Sequence, residues 1–225
     1  MRGRFIAIDG TDGSGKTVQA ARLVERIRES GRKAETISFP RYGNPAAHFV
    51  EKYLRGEYGS AEDVGAKRAS MFYALDRHDD ADRIRRMLDD GITLVTNRYV
   101  SANKGHQTGK IKDPDEQRRF IEWLNELEYG IFGIPKPDVT ILLRVPAEIG
   151  KKLAEARDGE ASAKDIHQAD LQHLKDAEAA YLRLPEIDTE ERWHVIECTE
   201  QEALLPIETI HTRVWDLVGP IVAAD

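Results

Sequence analysis

Short apolar runs recur along the chain at RFIAI, AETISF, ITLVT, DVTILLRV and WHVIEC, separated by long stretches with apolar residues three and four apart. Such runs read as buried strands, and the stretches between them as amphipathic helices. Their alternation predicts an α/β fold, a three-layer sandwich of about five parallel strands with helices on both faces. No internal repeat and no Pro/Gly/Ser-rich linker interrupts the pattern, so a single domain over residues 1–225 is expected.

Two stretches differ from this rhythm. Between the second and third runs, helical spacing extends from Ala61 to Asp90, and its later half, DRHDDADRIRRMLDD, carries dense charge of both signs. That half reads as a solvated face with charge pairs one turn apart. Between the fourth and fifth runs, ARDGEASAKDIHQ is small and polar, and the segment near 155–168 is expected to be a surface lid that closes over ligands.

Composition narrows the functions this fold could serve. The formal net charge of −7 leaves no excess of Lys and Arg to coat a duplex, so a general nucleic-acid binder is excluded and phosphate recognition must be local. Cys198 is the only cysteine, which rules out an intramolecular disulfide and fits a reducing cytoplasm. No stretch approaches the roughly 20 apolar residues that span a bilayer, and none reads as a signal sequence. A cytoplasmic protein with no membrane partner is expected.

The chemistry starts at Gly10-Thr11-Asp12-Gly13-Ser14-Gly15-Lys16-Thr17, which follows the first strand and opens a helix. This is G-x-x-x-x-G-K-[ST], the P-loop pattern, and it assigns the sheet to the P-loop NTPase type. Gly10, Gly13 and Gly15 let backbone N–H groups of the loop, with Ser14 and Asp12 among them, curl around ATP phosphates. The helix that follows points its positive end at the same anion. Lys16 can reach the β and γ phosphates, and the Thr17 hydroxyl can ligate Mg2+. The guanine-specifying Asn/Thr-Lys-x-Asp pattern of GTPases is absent.

Three further stretches together resemble the thymidylate kinase family of nucleoside monophosphate kinases: FPRYG at 39–43, Tyr73 four residues before Arg77, and Asn97-Arg98-Tyr99 at the end of the third strand. PKPDVTILLRVP resembles the family's fourth strand, so the likeness runs through most of the chain. Residues four apart share a helix face. Tyr73 can therefore stack on a pyrimidine while Arg77 donates to a ring carbonyl; the plain alternatives are a core aromatic and a surface charge. The resemblance implies that Phe39 closes this pocket and that Arg98 holds the acceptor phosphate, with Arg41 and Tyr42 near the same oxygens. It puts Asp12 on the acceptor sugar's 3′-hydroxyl, where a turn-stabilising Asp is the alternative. It also puts Asn103 at the pyrimidine edge with Gln107 beside it. His106 stands where many members carry a Tyr that crowds the 2′ position.

The resemblance implies transfer of the ATP γ-phosphoryl group to dTMP, with Mg2+ and as a homodimer. Asn97 departs from the family, which usually has Asp there, and offers the metal an amide oxygen, through water, in place of a charge. Asp9, just before the P-loop, is expected to compensate as a metal carboxylate. The P-loop supplies no cation beyond Lys16, so Arg157 or Lys164 in the lid is expected to neutralise charge on the moving phosphoryl group. Asp165 matches an acidic lid position without an assigned role, and Thr199, in the loop after the last strand, is a candidate near adenine. Two other outcomes stay open: a kinase for another nucleotide or a deoxynucleoside, and a nucleotide-binding protein without transferase activity.

Overall fold

The computed structural model describes residues 1–158, 171–201 and 203–224. Each of the five apolar runs forms a strand: β1 (Phe5–Asp9), β2 (Ala34–Ser38), β3 (Thr93–Asn97), β4 (Val139–Arg144) and β5 (Trp193–Glu197). They pair in parallel in the order β2-β3-β1-β4-β5. Because β1 is central and its neighbours on the two sides come from opposite directions of the winding, a crevice opens at its C-terminal end. The P-loop leaves the sheet there.

Period-two alternation builds two cores from the same strands. Phe5 and Ala7 of β1, with Leu94 and Leu142, pack against α3 (Ala61–Asp89), α4 (Val100–Thr108), α5 (Pro114–Asn125) and α7 (Leu171–Ile187). Ile6 and Ile8, with Val95, Ile141 and Leu143, pack against α1 (Lys16–Glu29) and α8 (Ile207–Ala223). Truncating a fully buried member such as Leu23 to Ala removes roughly 2–5 kcal/mol. A smaller cluster joins α2 (His48–Leu54), through Val50 and Tyr53, to Val64 and Ala69 of α3.

The long helical stretch is α3, with a start set by a capping box: the Ser60 hydroxyl accepts from the Asp63 N–H at 3.1 Å, and the Asp63 carboxylate accepts from the Ser60 N–H at 2.9 Å. One departure from the expected continuous helix is Gly65, whose φ of 73° and ψ of 165° kink the chain one turn in. Only glycine enters that region without strain. After α5 the chain widens into a π-helical turn, Glu126–Ile131, that the sequence pattern did not foretell. From β4 the chain enters α6 (Ala147–Asp158).

The stretch ECTEQEA, read as a loop, is instead a short antiparallel hairpin in which Thr199–Glu200 (β6) pairs with Ala203–Leu204 (β7). Thr199 sits in its first strand. Among the described residues no helix is long and apolar enough to cross a membrane, and no group of His, Cys, Asp and Glu is arranged to hold a metal.

Candidate active site

The P-loop residues adopt backbone conformations that explain their identities. Gly10, Gly13 and Gly15 have φ of 148°, 78° and 83°, values that side-chain-bearing residues rarely adopt. Gly13 also passes so close to α6 that a Cβ there would lie 2.0 Å from the Gly150 carbonyl oxygen. Gly15 caps α1, whose first turn carries no capping side chain and no acidic residue. The positive end of α1 is thus left for an incoming anion. Lys16 is folded into the loop, its ammonium donating to the Thr11 carbonyl at 2.8 Å and to the Ser14 hydroxyl at 3.4 Å.

Beside the loop lies a pocket of about 100 Å³. Its walls bring together Phe39, Tyr42, Tyr73, Arg77, Arg98, Asn103, His106, Gln107 and Asp12, so four separate elements and the P-loop converge on it. Every residue expected on the acceptor side lines it except Arg41. The Arg41 guanidinium is turned onto α3, where it donates to the carboxylates of Asp76, Asp79 and Asp80 at 2.8, 2.7 and 2.9 Å. The structure thus places the Arg41 guanidinium, expected near the acceptor phosphate, on these carboxylates, where it ties the Phe39–Gly43 loop to the helix that carries Tyr73 and Arg77.

Arg98 closes one end of the pocket. Its guanidinium pairs with the Asp12 carboxylate and donates from Nη1 to Nε2 of His106 at 2.9 Å. An arginine is always the donor, so that ring nitrogen carries no proton in this arrangement. Arg98 itself has φ of 64°, a left-handed conformation held at a cost of about 1–3 kcal/mol and characteristic of functional positions. His106 stacks on His173 with centroids 5.8 Å apart and meets the Tyr181 edge at 5.6 Å.

A family model described as thymidylate kinase matches residues 8–212. The chain belongs to the thymidylate kinase family. A thymidylate kinase of Thermomicrobium roseum is 32% identical over 219 residues, covering 97% of this chain and 95% of that protein. One of Mycobacterium tuberculosis (strain H37Rv) is 29% identical over 195 residues, covering 85% of this chain and 90% of the relative. The solved structure of thymidylate kinase from Candida albicans, an enzyme described as having broad substrate specificity, superposes with a TM-score of 0.73 at 20% identity, over 98% of this chain and 92% of that one. At that identity the likeness shows the fold.

Against the thymidylate kinase pattern, the departure at Asn97 has a visible structural counterpart. Its Nδ2 donates to the Thr17 hydroxyl at 3.1 Å, and its Oδ1 is buried without a hydrogen-bond partner. An orphaned carbonyl oxygen next to the P-loop hydroxyl fits a hydrated Mg2+, which favours oxygen donors and retains several waters. Asp9, expected as a compensating metal carboxylate, has its oxygens engaged by protein donors. It is fully buried, and its carboxylate accepts from the Gly10 N–H at 2.8 Å, the Tyr181 hydroxyl at 2.8 Å and the Ser101 hydroxyl at 2.6 Å. It braces the loop from beneath.

Arg157 lies in the last turn of α6, with its side chain outside the description, and Lys164 and Asp165 lie outside the described residues. Sequence reasoning missed Glu128. It is fully buried on the π-helical turn and receives Arg77 through two 2.6 Å hydrogen bonds. The one available clue was indirect: a buried Arg requires a carboxylate, though nothing in ELEYGI says which.

Proposed function

We propose that this protein transfers the γ-phosphoryl group of ATP to dTMP, giving ADP and dTDP. The observation that carries the reading is the Asp12–Arg98 pair, in which a side chain of the donor loop meets the cation that closes the acceptor pocket. The two sites adjoin, as direct transfer between two bound nucleotides requires.

An acceptor phosphate is already an anionic nucleophile, so no base need remove a proton from it. The protein's work is positioning and charge compensation. Loop N–H groups and the α1 terminus take the donor's phosphates, and Lys16 leaves the Thr11 carbonyl to bind them. The planar fork of Arg98 takes the dTMP phosphate. Tyr73 and Phe39 hold the base, Arg77 and Asn103 read its edge, and Gln107 and Tyr42 complete the wall. Thr17 and, through water, Asn97 would hold Mg2+, which when bound supplies charge neutralisation between the β and γ phosphates. Arg157, or Lys164, supplies the remaining cation.

Exposed Phe49, Met71 and Leu75 on α2 and α3 support a homodimer built on that face. The substrates and the lone unpaired Cys198 support a cytoplasmic location. His106, where many members carry a Tyr, favours one second reading, a kinase with a broader or different nucleotide acceptor. A coupled assay with Mg-ATP and a panel of nucleosides and nucleoside monophosphates tests both. Preference for dTMP supports the first reading, and preference for a ribonucleotide or another base supports the second. Nucleotide binding without ADP release would overturn both.

A further inference from the structure

The base-reading end of the acceptor pocket is organised from behind by Glu128. Its carboxylate lies on the Glu126–Ile131 turn, whose π-helical geometry is frequent at functional sites. Oε2 accepts from Arg77 Nε and Oε1 from Arg77 Nη2, each at 2.6 Å, a two-pronged pair that fixes the plane of the guanidinium. Oε1 also accepts from Asn103 Nδ2 at 3.2 Å, and the same nitrogen donates to the Ser70 carbonyl at 3.1 Å.

These bonds determine which way the Asn103 amide faces. An amide nitrogen has two protons, and both point at acceptors that cannot donate, one a carboxylate and the other a backbone carbonyl. Turning the amide over would set its oxygen against two oxygens. Asn103 therefore presents Oδ1 to the pocket it lines, and this oxygen takes no hydrogen bond from the described residues. Arg77 lines the same pocket and has N–H groups left over: two donors go to Glu128, and a third, on Nη1, reaches the Tyr99 carbonyl at 3.4 Å. One acceptor and one donor thus stand side by side.

We infer that Glu128 is a positioning residue that sets this donor–acceptor order and so restricts the acceptor to pyrimidines with an imide edge. Thymine and uracil offer N3–H to Asn103 Oδ1 and the C4 carbonyl to Arg77. Cytosine inverts both positions, with a lone pair at N3 and an amino group at C4. The inference rests on the reading of this pocket as the acceptor site.

The decisive pair of substrates is dTMP and 5-methyl-dCMP, which differ only along that edge. In the wild-type enzyme kcat/KM for 5-methyl-dCMP is expected to be lower by at least about 10³-fold, because two buried polar groups are left mispaired. In Glu128→Gln the new amide can turn either end toward Asn103. The ratio is then expected to narrow by at least about tenfold, through a raised KM for dTMP, while KM for ATP holds. A second measurement uses the wild-type chain and is independent of how the variant folds. In 15N spectra, with the Asn103 signal identified by its loss in Asn103→Asp, both side-chain amide protons are expected to exchange slowly before and after dTMP is added. A ratio unchanged in Glu128→Gln, or amide protons that exchange freely until dTMP binds, overturns the inference. If the wild type phosphorylates neither nucleotide, the proposed function falls, and the amide exchange still decides the role of Glu128.

Discussion

Arg41 and Asp76 are joined at three points: the Arg41 backbone N–H donates to Asp76 Oδ2, its Nε to Oδ1 and its Nη2 to the Asp76 main-chain carbonyl, each at 2.8 Å. Asp76 is fully buried, so removing the guanidinium strands a carboxylate in the interior. Arg41→Ala is expected to cost about 3 kcal/mol, and at roughly 2–4 °C per kcal/mol for a chain of this size the melting temperature falls by about 6–12 °C. Release of the Phe39–Gly43 loop should raise KM for dTMP about tenfold and leave KM for ATP unchanged. A loss of acceptor kcat/KM beyond about 10³-fold with normal melting would instead put Arg41 on the phosphate.

Asn97 and Asp9 make separable predictions about magnesium. Asn97→Asp places a charge beside the Thr17 hydroxyl and is expected to lower the Mg2+ concentration needed for half-maximal rate. Asp9→Asn sets an amide among three donors and should destabilise the fold by about 1–3 kcal/mol. Its half-saturating Mg2+ should not move. Titration of rate against Mg2+ in both variants checks the pair, and a sharp rise for Asp9→Asn would return that residue to the metal.

Legibility in the sequence followed the range of the interaction. Strand alternation, the P-loop and the i,i+4 spacing of Tyr73 and Arg77 are local patterns, and each stands where it was expected. What stayed hidden depends on pairing across the fold. Arg41 was expected near the acceptor phosphate from the family resemblance, and the three carboxylates on α3 that hold it here were not legible in the sequence. Asp9 stood in the right place for a metal ligand, and only the arrival of Tyr181, 172 residues away, and of Ser101 shows that its oxygens are occupied. Glu128 lies 51 residues from Arg77, in a turn type that no propensity rule anticipates.

Lys104 is wholly buried and donates to Asp188 and Glu191, each at 2.6 Å. Burial alone would raise the Asp188 carboxyl, but Lys104, with Trp193 and Asn125, outweighs it and holds Asp188 below its ordinary value. A lowered folded-state value means stability that is fully present above the unfolded value near 4 and is lost as pH falls through the folded one. Melting temperature should therefore fall more steeply below about pH 4 in the wild type than in Asp188→Asn. The gap between the two should be widest near neutrality and close as pH falls through the folded-state value. Parallel melting curves against pH would remove Asp188 from the acid sensitivity.

Arg157 occupies the last turn of α6. If it supplies charge during transfer, Arg157→Ala should lower kcat by about 10²–10³-fold while ATP affinity, read by equilibrium binding, changes less than about threefold. Equal losses in both would make it a binding residue only.

Asp12 belongs to two proposed sites at once: its backbone lies in the loop proposed to take the donor, and its carboxylate is on Arg98, proposed to take the acceptor. Whatever one nucleotide does to that shared residue, thermodynamic linkage obliges the other to return by the same factor in affinity. Calorimetric titration of each nucleotide with and without its companion reads that factor directly. A donor arriving alone finds Arg98 still held by the loop, so the futile hydrolysis of ATP by water should be slow until a monophosphate draws the guanidinium away.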